Sequence, residues 1–233
     1  MSQFVAPEPT PCIGDGQSLP SLTHQVTSAA DPRLSAVATP LFEQPGTNIG
    51  FWALFGIFAL GEAAMRVRSL VNRSGTRADR WSQVIVVIGV VGGLLAGLGF
   101  ATRWQATAIT AWQWPVFVAG LILMAAGIFV RQWAIFTLGS FFTGDIRVHA
   151  QQTVVDWGPY RWVRHPSYTG LIIFLCGVGL ALTNWMSLLV LATLPTAALV
   201  VRVRIEEDAL VGGLGEAYRR YAAPRKRLFP GVW

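Results

Sequence analysis

From Gly170 to Val201 the chain carries no charged residue. As one α-helix that stretch would run ~48 Å at ~1.5 Å per residue, well beyond the ~30 Å hydrocarbon thickness of a bilayer. A single crossing cannot hold it. The sequence resolves the excess with a break, because Thr183, Asn184 and Trp185 interrupt the apolar residues near the middle. We therefore expect a helical hairpin turning at Asn184. Its first arm is short unless it begins at Pro166. Proline suits the first turn of a helix, where its missing N–H has no intrahelical partner to lose. Started there, the arm reaches ~27 Å and nearly spans.

The rest of the chain agrees with a membrane setting. Of 233 residues, 53% are hydrophobic and only 13% charged, against roughly 25% charged in soluble domains. Apolar runs at 48–65, 82–101 and 114–130 supply three further spans, the third open to continuation past Arg131 to about Leu138. The second is glycine-rich, which suits close helix contact. The expected fold is thus an all-α integral membrane protein with about five transmembrane helices. Glu62 interrupts the first span near its end. Snorkelling, or a pair with Arg66 four residues on, accounts for it more readily than a substrate role.

Arginine placement sets the orientation. Arg66, Arg68, Arg73, Arg77 and Arg80 follow the first span, Arg131 through Arg164 follow the third, and Arg202 through Arg227 follow the fifth. Five crossings put all three groups on one side, cytoplasmic by the positive-inside rule, with the N-terminus outside. Trp52, Trp104, Trp112, Trp114 and Trp185 then mark the outer boundary, and Trp81, Trp133 and Trp162 the inner one, as an aromatic belt requires. The net charge of +6 points to anionic lipid headgroups rather than nucleic acid, since the charges flank apolar runs. Cys12 and Cys176 lie in dissimilar contexts, so neither a disulfide nor a metal site is expected. No basic stretch followed by an apolar run opens the chain, so no cleaved signal peptide is expected. Residues 1–46, rich in Pro, Ser and Thr, read as a disordered or loosely docked tail ahead of a membrane domain over 47–233.

Polar chemistry gathers in two segments, 139–169 and 202–233. The first ends in GPYRWVRHPSYTG (158–170), and the second begins RVRIEEDAL. The hairpin returns one to the other, and antiparallel helices pack 8–10 Å apart, so His165 should neighbour Glu206 and Glu207. The helix start at Pro166 and Arg164 favour a carboxylate. Glu206 and Glu207 can accept hydrogen bonds from an ammonium or from ribose hydroxyls. Tyr160 and Tyr168 offer aromatic faces. On these residues alone, juxtamembrane charges that simply pair with one another and with headgroups remain an open alternative.

The two motifs resemble the isoprenylcysteine carboxyl methyltransferase family. Gly158, Pro159, Tyr160, Arg164, His165, Pro166, Tyr168 and Gly170 match its GPY-x-x-x-RHP-x-Y-x-G. Glu206, Glu207, Leu210, Gly215, Tyr218, Tyr221 and Pro230 match its closing EE-x-x-L, G-x-x-Y-x-x-Y and proline. The resemblance covers about 130 residues, from the third span to the end. It implies an integral membrane methyltransferase using S-adenosylmethionine, with the cofactor-binding part over 138–233. Tyr160, His165, Tyr168 and Gly170 would line the cofactor pocket, with Glu206 and Glu207 opposite, and Arg164 and Glu207 would be the catalytic candidates.

Transfer to a carboxylate or thiolate needs no base, only alignment in a dry pocket. An amine or thiol acceptor would need deprotonation, with Glu206, Glu207 or His165 as the candidates. Gly120 and Gly127 are too far apart to match the Gly-x-Gly of the related phospholipid N-methyltransferases, which favours a carboxylate or thiol on a lipophilic or small acceptor over a lipid amine. Two rivals remain. Sterol-type reductases binding NADPH share a similar RHP-x-Tyr but typically place Asn where Ser167 stands. A non-enzymatic membrane scaffold would use the paired charges structurally.

Overall fold

The computed structural model describes residues 40–71, 76–79, 81–139, 146–148, 154–231 and 233. Most of the 1–46 segment therefore lies outside the described residues. Within its end, Leu41 and Phe42 are each only 2% exposed and join the hydrophobic core.

Four helices are long and apolar enough to cross a membrane: α1 (Thr47–Val71), α2 (Trp81–Arg103), α3 (Gln113–Leu138) and α5 (Trp185–Leu214). A shorter apolar helix, α4 (Pro166–Ala181), forms the first arm of the hairpin, and a final short helix, α6 (Glu216–Ala222), follows α5. α4 starts at the expected proline and the third span runs on to Leu138. Trp81 and Trp185 open α2 and α5, while Trp104, Trp112 and Trp114 surround the α2–α3 turn. All five are more than half exposed, as anchors at an interface would be.

Two short strands, β1 (Thr76–Asp79) and β2 (Ile146–Val148), pair antiparallel. The all-α expectation did not include them. They tie the loop after α1 to the loop after α3, so both loops lie on one face, as antiparallel spans demand.

The turn between α4 and α5 is held by one side chain. Thr183 adopts a positive φ of 48°, which turns the chain before Asn184. The Asn184 Oδ1 accepts from the N–H groups of Met186 and Ser187 at 3.0 and 3.1 Å, and from Thr107 Oγ1 at 3.0 Å. Its amide donates to the Trp104 carbonyl at 3.2 Å. Asn184 thus caps α5 and anchors the α2–α3 turn at once. Asn184→Ala is expected to cost about 2 kcal/mol, the upper end for a lost N-cap, because the residue is only 1% exposed and its partners lose their bonds away from bulk water. The thermal midpoint in detergent checks this, with Asn184→Asp falling between the two.

Glycines let the helices meet. Gly89, Gly93 and Gly97 form one stripe on α2 against Ala198, Pro195 and Leu191 of α5. Gly120 and Gly127 of α3 meet Gly177 and Gly170 of α4 backbone to backbone. In hydrocarbon, where burial of apolar surface gives no net drive between helices, such close approach supplies the attraction. α1 leans on the same pair through Phe58, whose ring stacks on Phe174 at 3.9 Å.

Glu62 has a partner that the sequence did not suggest. It pairs with Arg131 of α3, whose guanidinium holds both carboxylate oxygens, Nη2 to Oε2 at 2.9 Å. Arg131 is 5% exposed, and a buried guanidinium requires a counter-charge. The α1–α3 contact provides one in Glu62.

Candidate functional site

The motif segment and the chain end are joined first by backbone. Gly158 opens a 3-10 turn over Gly158–Arg161 at φ 61°, and a Cβ there would press on Thr137. Val163 forms a parallel bridge to Lys226. The Arg164 N–H donates to Lys226 O at 2.9 Å and the His165 N–H to Arg227 O at 3.0 Å. The Thr169 hydroxyl reaches the Leu228 carbonyl, and the Tyr221 hydroxyl donates to Tyr160 O at 2.9 Å. Tyr221 and residues 226–228 therefore lie along the RHP segment instead of trailing from α5.

Glu207 sits at the centre. Arg164 Nη1 approaches its Oε1 at 2.9 Å and Arg227 Nε its Oε2 at 2.9 Å, while His165 Nε2 lies 3.4 Å from Oε1. Arg164 also donates through Nε to the Arg225 carbonyl at 2.8 Å. Both carboxylate oxygens of Glu207 are thus engaged by cations or imidazole. Glu206 differs. One oxygen accepts from the Tyr168 hydroxyl at 2.6 Å and lies 4.0 Å from His165 Nδ1, and the side chain stays 26% exposed. Its remaining lone pairs are available to a ligand.

A second layer orients Tyr168. Arg202 Nε donates to the Tyr168 hydroxyl at 2.7 Å, and Arg202 Nη1 to Ser82 Oγ of α2 at 3.2 Å. The hydroxyl proton is then directed to Glu206. The Tyr168 ring stacks on His165 with centroids 5.6 Å apart. Below it, Arg131 Nη1 donates to the Ser167 carbonyl at 3.0 Å, fixing the first turn of α4 against α3. Burial, then the Glu206 charge, pushes the Tyr160 hydroxyl far above its ordinary range. Burial first also raises Tyr221, to about 12. Both phenols stay protonated across any physiological pH.

Tyr160, Arg164, His165, Tyr168, Glu206 and Glu207 are therefore brought together, as the hairpin implied. Gly170 is the exception. A Cβ there would lie 2.6 Å from the Arg131 backbone N and 2.8 Å from Gly127 O, so its bare α-carbon serves the α3–α4 contact rather than lining the side-chain cluster. Sequence reading missed Arg131, Arg202 and Arg227 as parts of the site. A charge beside an apolar run was the available signal for the first two. Among the described residues no group of His, Cys, Asp and Glu is arranged to hold a metal.

A helical membrane protein whose hairpin folds an Arg-His-Pro segment onto an acidic pair is thus the class that fold and site define. The sequence profile described as "Isoprenylcysteine carboxyl methyltransferase (ICMT) family" matches residues 119–212, which carry α3, the RHP segment and the acidic pair. Over those residues the chain is similar to that family. It is 32% identical over 111 residues to a probable protein-S-isoprenylcysteine O-methyltransferase of Oryza sativa subsp. indica, covering 47% of this chain and 58% of the rice protein. It is 26% identical over 201 residues to protein-S-isoprenylcysteine O-methyltransferase of Schizosaccharomyces pombe, covering 78% of this chain and 82% of the yeast protein. The chain thus spans less than two thirds of the rice relative's length. The solved structure of a eukaryotic intramembrane Ras methyltransferase shares the fold, with a TM-score of 0.60 and 21% identity over 85% of this chain and 70% of that one.

Proposed function

We propose that this protein is an S-adenosylmethionine-dependent membrane methyltransferase acting on a carboxylate carried by a lipophilic acceptor, with the carboxyl of an S-isoprenylated cysteine as the acceptor class its relatives' names suggest. The observation that carries this reading is the meeting of Glu206, Tyr168, His165 and Arg164 across the hairpin. The donor set fits an amino-acid nucleoside. Glu206 keeps acceptor capacity for an ammonium or ribose hydroxyls. Arg164 Nη2 has no partner among the described residues and can take a carboxylate.

The bound cofactor would supply a methyl on a sulfonium, whose transfer to a carboxylate oxygen makes an ester and a neutral thioether with no proton moved. The chain's residues then need only hold the two partners. Glu206 binds. Glu207 positions, by fixing Arg164 and His165. Arg202 sets the Tyr168 proton toward Glu206. Arg164, open to either role, holds the donor's carboxylate or steers the acceptor's. By the distribution of arginines the site faces the cytoplasm, with the acceptor's tail reaching it from the bilayer.

Calorimetry on detergent-purified protein tests this. Micromolar binding of S-adenosylmethionine and its demethylated product is expected, with none of NADPH. Glu206→Gln is expected to weaken binding about 10- to 100-fold, the range for a hydrogen bond to a charged group, whereas Glu216→Ala on the exposed face of α6 leaves it unchanged. Binding of NADPH alone would move the reading to a reductase, and binding of neither would leave the charges structural.

A further inference from the structure

Tyr218 lies on α6, packed with Tyr221 and Ala222 against Val154, Leu210, Val211 and Leu214. It is 5% exposed. Among the described residues its hydroxyl is the buried side-chain polar atom left without a hydrogen-bond partner. Tyr221, one turn on along the same face, shows the contrast. Their rings lie 5.8 Å apart, but the Tyr221 hydroxyl donates to the Tyr160 carbonyl at 2.9 Å. An unmet buried hydroxyl opposes folding, and phenylalanine would pack the same surface without that loss. A polar group kept at such a position calls for a reason.

Its surroundings supply one. Its ring neighbour Tyr221 reaches the Tyr160 carbonyl at the edge of the cluster, and beyond burial the charges of Glu207, Glu206 and Arg164 act on the Tyr218 hydroxyl. None of these residues bonds to it. Glu207 is filled by Arg164, Arg227 and His165, and Glu206 is turned to Tyr168.

We infer that Tyr218 is a ligand contact of this pocket, donating its hydroxyl hydrogen to an acceptor atom of the bound amino-acid nucleoside. This rests on the methyl-donor reading above. Burial keeps the phenol protonated far above the ordinary tyrosine range, so at neutral pH it is a donor seeking an acceptor. A carboxylate oxygen held between Arg164 and Tyr218, or a ribose oxygen beside Glu206, meets that need.

The experiment compares wild type and Tyr218→Phe, both as the full chain in detergent. It reads calorimetric affinity for S-adenosylhomocysteine and the thermal midpoint without ligand. The expected result has opposite signs: affinity about tenfold weaker, and a ligand-free midpoint equal to or above wild type, because an unmet polar group has gone. If wild type binds and Tyr218→Phe binds equally, the inference is overturned while the donor reading stands. A fall in both midpoint and affinity overturns it too, since a structural hydroxyl would produce that pattern. If wild type does not bind, the donor reading fails and takes this inference with it.

Discussion

Glu207→Ala is expected to cost about 3–5 kcal/mol of stability, the range for removing one partner from a buried ion pair. Two cations lose their counter-charge and the His165 ring loses a neighbour together: Arg164 and Arg227 lie 2.9 Å from its carboxylate oxygens and His165 Nε2 3.4 Å. The Arg164 side chain is 18% exposed and cannot reach bulk water without moving. Arg227, at 34%, can turn outward, which places the expected cost toward the lower end. The damage extends beyond charge. Arg164 and Arg227 are the residues through which the chain end is stitched to the RHP segment, so their release loosens the α6 region and the pocket wall. Glu207→Gln, which keeps an acceptor oxygen but loses the charge, should fall between. Glu216→Ala should stay within about 0.5 kcal/mol, because its pair with Arg219 is 3.8 Å long and nearly two thirds exposed. Thermal or denaturant unfolding in detergent separates these cases. Equal losses for Glu207→Ala and Glu216→Ala would show that the carboxylate does not hold the chain end.

The parts legible in the sequence were those that length and charge dictate. A run too long for one crossing, broken at Asn184, required a hairpin, and the hairpin required that Arg164-His165 meet Glu206-Glu207. No knowledge of side-chain geometry was needed for that. What stayed hidden depends on rotation about helix axes and on contacts far apart in the chain. Whether Glu206 or Glu207 is the free carboxylate turns on a 100° step along α5, which alternates neighbours from the cationic clamp to Tyr168. For Glu62 the sequence suggested snorkelling or a pair with Arg66, one helical turn away, and gave no sign of its pair with Arg131, on another span.

Gly170 shows the same limit from the other direction. Its place in the motif suggested a pocket residue, yet the space its side chain would take belongs to the α3 backbone. The strand pair β1–β2 gave no signal at all, because two three- or four-residue segments carry too short a pattern to stand out from loop.

Gly177→Ala is expected to be strongly damaging, as is a methyl at any of the glycines where α3 and α4 meet. A Cβ at Gly177 would lie 2.5 Å from the Met124 backbone N, 2.8 Å from Gly120 O and 3.0 Å from the Leu123 carbonyl carbon. All three are main-chain atoms of α3, so no side chain can rotate out of the way and the helices must part. Overpacking a core usually costs about 1–3 kcal/mol when side chains can yield; a backbone clash on this scale should exceed that. The consequence reaches the site by a mechanical route. α3 and α4 touch again at Gly127–Gly170 and then at Arg131, whose guanidinium holds Ser167 O at 3.0 Å. A wedge at Gly177 lifts α4 from that support and moves Tyr168, one residue further on, away from Glu206. Gly56→Ala is the control, since a Cβ there meets nothing within 4 Å; replacing glycine inside a helix should stabilise it by up to about 1 kcal/mol. The expected pattern is a lower midpoint and lost donor binding for Gly177→Ala, with an equal or higher midpoint and full binding for Gly56→Ala. If Gly177→Ala melts within a degree of wild type, the close α3–α4 contact does not carry the register of the site.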